Sequence, residues 1–172
     1  MFKGLYYLPA KSISYSSKER KRDDIKYIVV HYTGNETDTA KNNAYFFATG
    51  NTRGAGAHFF VDENDIYYSI RVKYSAYSVG TKDKKVVAKL FGKCTNYNSI
   101  SVELCSNKGN FLPETLNNAE LLIKQLMYLF NVPSERVVRH YDVTGKKCPG
   151  WYGWCDNNNS AWYKFKTRFL KG

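Results

Sequence analysis

The stretch Arg139-His140-Tyr141-Asp142-Val143-Thr144-Gly145-Lys146-Lys147-Cys148-Pro149-Gly150 gathers an imidazole, an ammonium and a thiol in one short segment. Imidazole nitrogen and thiolate sulfur are the donors that zinc favours. Two donors do not make a site, and the best third is His31, which ends the apolar run Ile28-Val29-Val30 just before Thr33-Gly34. Three protein ligands with a fourth position left to water is the pattern of a catalytic rather than a structural zinc. Cys155 is a substitute for Cys148 in this scheme. A metal-free alternative makes Cys148 a nucleophile with His140 as its base.

Glu103 stands alone as a charge in the run Ser99-Ile100-Ser101-Val102-Glu103-Leu104-Cys105. Acidic side chains are seldom buried without a partner, so it is either half of a structural ion pair or a general base beside an activated water. Lys146, two residues before Cys148, is placed to stabilise a developing oxyanion, whereas Lys147 is expected to face solvent. His58 has two readings. As a fourth ligand it would close the zinc site; as a partner that orients a ligand or substrate by hydrogen bond it would leave the site open, and the second is favoured.

The elements that must hold these groups follow from pattern. Tyr27 to Tyr32 reads as a doubly covered strand. Asp38 or Thr39 caps a helix to about Thr49, with Ala40, Ala44, Phe47 and Ala48 on one face. Strands are expected at residues 58–62 and 66–70, joined by a turn at Glu63-Asn64-Asp65, and again at 99–105. Pro113-Glu114 opens the clearest helix, which runs to about Phe130 with Leu116, Ala119, Leu122, Ile123, Leu126 and Met127 at helical spacing. A short strand at 136–139 delivers His140 into a loop, and residues 160–170 form a closing helix. Residues 1–24 lack a period and are read as an extended arm packed on a domain spanning 25–172. Residues 71–98, basic, aromatic and glycine-punctuated, form a long loop of the kind that carries function. Irregular alternation of strands and helices predicts a single α/β domain with a central mixed β-sheet flanked by helices.

Composition sets the outer bounds. The 172 residues are 43% hydrophobic and 24% charged, enough for one sizeable core, and no apolar run is long enough to span a bilayer. The formal net charge of +11 favours polyanionic partners, including anionic wall polymers, without choosing among them. No nucleic-acid module is recognisable. Cys94, Cys105, Cys148 and Cys155 are too irregular for a disulfide framework and are expected as thiols. The first residues lack the apolar core of a secretory signal, so synthesis in the cytoplasm is expected.

These residues resemble a known family. The strand His31-Tyr32-Thr33, the segment Ala57-His58-Phe59-Phe60-Val61-Asp62, Glu103, and the loop Arg139-His140-x-Asp142…Lys146-x-Cys148-Pro149 are similar to the zinc-dependent N-acetylmuramoyl-L-alanine amidases of the amidase-2 group. That group is related to phage lysozyme-type amidases and to peptidoglycan recognition proteins. The resemblance spans roughly residues 25–165. It implies His31, His140 and Cys148 as Zn2+ ligands, with Glu103 and Lys146 as catalytic residues. It further implies cleavage of the amide between N-acetylmuramic acid and L-alanine of peptidoglycan, as in an endolysin acting on the wall after release. Two departures stand out. Ala57 replaces a tyrosine that some members use in catalysis, and Tyr77-Ser78 replaces a Trp-His pair in the groove loop. His58, Arg139, Tyr77 and Lys73 are the expected substrate or ligand-orienting residues. A non-catalytic peptidoglycan-binding module is the remaining alternative of another class.

Overall fold

The computed structural model describes residues 3–80 and 88–170. Its centre is a six-stranded mixed sheet. The strands are β1 (Gly4–Tyr7), β3 (Tyr27–Tyr32), β4 (Phe59–Val61), β5 (Asp65–Tyr68), β7 (Ser99–Leu104) and β8 (Val137–Arg139), in the order β1-β5-β4-β7-β3-β8. A separate antiparallel pair joins β2 (Tyr15–Ser16) to β6 (Ser75–Ala76). Strands β4, β7, β3 and β8 run parallel, and β4 and β5 form an antiparallel hairpin. The mixed α/β architecture is the one expected from sequence.

Strand periodicity divides the side chains between two faces. Ile28 and Val30 of β3, Ile100, Val102 and Leu104 of β7, and Val137 of β8 point to one side. There they meet α2 (Pro113–Phe130) through Ala119, Leu122, Ile123 and Leu126, and α4 (Ser160–Lys166) through Trp162 and Phe165. The opposite face carries Val29, His31, Ser101 and Glu103 and is covered only in part, by α1 (Ala40–Tyr45) and α3 (His140–Thr144). One face thus makes the core and the other is left to build a site.

The arm is more than a covering. Within the expected arm, Gly4–Tyr7 pairs in parallel with β5 and extends the sheet. The helix expected to reach Thr49 keeps α-helical form only through Tyr45 and then widens to a π-helical turn, Phe46–Gly50. Thr39 is its cap, accepting from Asn42 N at 3.1 Å. Asp62 joins this helix to the β4–β5 turn: Oδ2 accepts from Ala40 N, and Oδ1 from Asn64 N and Asp65 N. Of the basic loop 71–98, the stretch 81–87 with Lys82, Lys84 and Lys85 lies outside the described residues.

Candidate metal centre and its cavity

Parallel pairing brings the reactive groups together at the carboxyl ends of three strands. In the β3–β7 register His31 lies opposite Glu103. Val30 lies opposite Arg139 in the β3–β8 register, so the next residue, His140, emerges beside His31. The loop expected around His140 is instead the short helix α3. Asp142 caps it by accepting from Arg139 N at 2.8 Å, and Gly145, at φ 82°, ends it in the left-handed conformation that glycine tolerates. This turn returns the chain so that Cys148 faces His31.

Ligand-type atoms of His31, His140 and Cys148 all lie within 4.8 Å of one another, and all three residues are buried. The imidazole rings are 4.7 Å apart at 56°. His140 Nε2 is 3.1 Å from the Val79 carbonyl, so its N–H donates there and Nδ1 carries the lone pair that a metal would take. His31 Nδ1 is 3.8 Å from Cys148 Sγ and 4.0 Å from Glu103 Oε1, while its Nε2 is buried with no partner. Burial, with His140 and Lys146 as neighbours that disfavour a second positive charge, holds His31 well below its usual pKa, and burial with Lys146 lowers His140 to about 4. Both are therefore neutral imidazoles, the form that binds metals. Burial, with Glu103, pushes the Cys148 thiol well up, so only a cation or a strong base would remove its proton. An orphaned imidazole nitrogen, two neutral rings and a sulfur within one small volume fit a zinc ion.

This trio lines a cavity of about 610 Å³ shared with Glu103, Lys146, Tyr77 and Arg53. About a fifth of the Glu103 side chain is exposed, yet Oε2 is buried and unpartnered. Burial raises the carboxyl to about 8, against the pull of Lys146 and with the push of Asp38. The Lys146 side chain has no partner among the described residues, and its charge acts on His31, His140, Glu103 and Cys148 alike. Asp38 was legible only as a cap. Here it accepts from Ser106 N, Asn35 and Asn43 and fixes the opposite lip of the cavity. Cys155 is outside the cluster, its thiol 2.9 Å from the Pro149 carbonyl.

Three of the expected contact residues lie elsewhere. Arg139 is buried; it bonds Asp142 through Nε and Nη2, donates through Nη1 to the Trp154 carbonyl and Asn159, and so pins the segment after Cys148. Lys73 pairs with Glu19 at 2.5 Å and covers the Tyr74 ring, because the arm, not the cavity, lies beside it. His58 is fully buried: Ser101 N donates to Nδ1 at 3.0 Å, and Nε2 sits 3.0 Å from the Tyr74 carbonyl, with Arg20 against it. Both ring nitrogens are engaged by groups of the fold, Ser101 on one side and Tyr74 on the other. The alternation of Ser99, Ser101 and Glu103 was the sequence signal for this polar face.

Burial, aided by Arg20, lowers His58 from 6.5 to about 3. Between those values the unfolded chain binds a proton that the folded chain refuses, so stability falls as pH drops through 6.5. The variant His58→Gln should be less stable at neutral pH, yet lose less stability than the parent between pH 6.5 and 4. Urea midpoints against pH would show it, the ligands' own titration being common to both proteins. Equal slopes would remove His58 as the cause.

Comparison with known proteins places this geometry. The family described as N-acetylmuramoyl-L-alanine amidase matches residues 21–151. The chain is 34% identical over 164 residues to N-acetylmuramoyl-L-alanine amidase CwlL of Bacillus licheniformis, covering 92% of this chain and 45% of that one. It is 32% identical over 172 residues to N-acetylmuramoyl-L-alanine amidase BlyA of Bacillus subtilis (strain 168), covering 94% and 45%. The chain thus spans less than half the length of these relatives. The solved catalytic domain of XlyA superimposes with a TM-score of 0.76 at 25% identity, covering 96% of this chain and 98% of that one.

Proposed function

The chain belongs to the N-acetylmuramoyl-L-alanine amidase family, and from that premise we propose that it hydrolyses the amide joining N-acetylmuramic acid to the L-alanine of the peptidoglycan stem peptide. His31, His140 and Cys148 would hold zinc. The observation that carries this reading is one cavity combining three convergent donors with a carboxylate 4.0 Å from one of them. When bound, zinc supplies Lewis acidity and lowers the pKa of water from 15.7 towards roughly 7.

The protein's own groups would do the rest. Glu103, whose Oε2 has no competing partner, takes the proton of the attacking water and passes it to the leaving amine. A cation held by the adjacent donors would lower its proton affinity enough for the carboxylate to accept the water proton, and burial would keep that affinity high enough for the proton to be delivered to the amine. Lys146, at the cavity wall with no side-chain partner among the described residues, stabilises the oxyanion that develops on the carbonyl. Val79 fixes the His140 tautomer through its carbonyl. A thiol-hydrolase reading is disfavoured, because a nucleophilic cysteine needs a depressed pKa and burial raises that of Cys148. Glu103 and Lys146 within the cavity disfavour a module that only binds.

No helix among the described residues is long and apolar enough to cross a membrane. Action on the wall, in the manner of an endolysin, fits the net charge of +11, which would draw the protein to anionic wall polymers. Digestion of purified cell wall should expose new amino-terminal L-alanine without new reducing sugar ends. A chelator should stop it and zinc restore it. New reducing ends, or activity that survives chelation but not thiol alkylation, would overturn the assignment.

A further inference from the structure

A single hydrogen bond holds the outer nitrogen of His140. Its Nε2 N–H donates to the Val79 carbonyl at 3.1 Å and has no other hydrogen-bond partner among the described residues. That bond decides which ring nitrogen is bare towards His31 and Cys148. Yet Val79 lies outside every strand. The ladder between β2 and β6 ends at Ala76, and Tyr77 is held by the Ser14 carbonyl and Gly56 N. Past Tyr77 the backbone needs another support.

The side chain of Asn96 supplies it. Oδ1 accepts from Val79 N at 2.9 Å and from Ser78 N at 3.0 Å. Ser78 N also reaches the Ala76 carbonyl, but Val79 N has no second acceptor among the described residues. The buried Val79 side chain packs with Val29, Val138 and Val143. With Cβ and N both held, the tetrahedral Cα leaves one direction for the carbonyl carbon, and that direction faces His140. Asn96 is itself anchored. Arg20 Nη1, on a buried residue, donates to the carbonyls of Asn96, Tyr97 and Ser99 at 3.1, 2.7 and 2.8 Å. Asn98 closes the same turn, accepting from Thr95 N and donating to the Lys93 carbonyl. The Asn96 amide nitrogen makes no hydrogen bond among the described residues, so its oxygen is the part in use.

We propose that Asn96 is a positioning residue for the candidate metal ligand His140, acting through the backbone of Val79. The inference rests on the zinc reading above and names the side chain that keeps His140 ready for the metal. Without the Asn96 oxygen, Val79 N loses its acceptor and the Val79 carbonyl is free to turn. His140 can then carry its proton on Nδ1, the nitrogen that must be bare to bind a cation. Partners that orient a ligating histidine are worth roughly tenfold to a hundredfold in metal affinity.

The test compares the parent with Asn96→Ala, Asn96→Asp and Asn98→Ala. Heteronuclear NMR of the parent should show the His140 ring proton on Nε2, exchanging slowly with water. In Asn96→Ala that proton should exchange roughly tenfold faster, as expected when a hydrogen bond is weakened. Zinc, in competition with a chelating dye, should bind roughly tenfold to a hundredfold more weakly. Asn96→Asp keeps an acceptor oxygen and should recover most of both readings. Asn98→Ala loosens the same turn without freeing Ser78 or Val79, and both readings should stay near those of the parent. Should Asn96→Ala fail to fold, Asn96→Gln, whose oxygen lies one bond too far to cap both N–H groups, decides on the same readings. Unchanged exchange and zinc affinity in the Asn96 variants would overturn the role, as would equal losses in Asn98→Ala. A parent that binds no zinc would remove the metal centre proposed above, and this role with it; a parent that binds zinc no more tightly than Asn96→Ala overturns Asn96 alone.

Discussion

Replacing Glu103 by Gln should leave zinc bound and slow amide hydrolysis by roughly a hundredfold to ten-thousandfold, the span associated with a positioned acid–base group. Glutamine keeps the shape of the side chain beside His31 and in register with it on β7. What it removes is the ability to carry a proton. The carboxyl is only partly exposed, and its Oε2 is already stripped of solvent and partners. Neutral glutamine should therefore fit without forcing the strand to move. Zinc content equal to that of the parent, with cleavage lost, would separate proton transfer from metal binding. An undiminished rate would remove Glu103 from the reaction.

The change Cys148→Ala bears on the proposed zinc site itself. It removes the only sulfur in the cluster and leaves two imidazoles, one with its Nε2 already unpartnered. Zinc content should fall well below one per chain, and activity should drop at least as far as in Glu103→Gln. The unfolding midpoint should also fall, since a metal bound only by the folded state adds stability in proportion to its affinity. By contrast, Cys155→Ala should retain zinc, because that thiol is turned to the Pro149 carbonyl. Normal zinc in Cys148→Ala would mean that another donor completes the site.

The candidate donors and Glu103 each carried a local signal in the sequence. His31 ends an apolar strand, His140 and Cys148 share a short segment, and Glu103 is the lone charge in its strand. The helix Pro113–Phe130 was legible from helical spacing and its proline start. Strand β1 was not, because a four-residue edge strand with Leu5, Tyr6 and Tyr7 exposed shows no alternation of apolar and polar residues. Arg139, Lys73 and His58 have the residue types of substrate contacts. Whether such a side chain faces a cavity or a neighbouring carbonyl is decided by packing between distant segments, and no spacing rule reports it.

Zinc-edge X-ray absorption on the purified protein addresses the central claim most directly. The expected result is one zinc per chain, with a single sulfur at about 2.3 Å and two imidazole nitrogens at about 2.0–2.1 Å. A third imidazole, a second sulfur, or a fully folded protein that binds no zinc would contradict it.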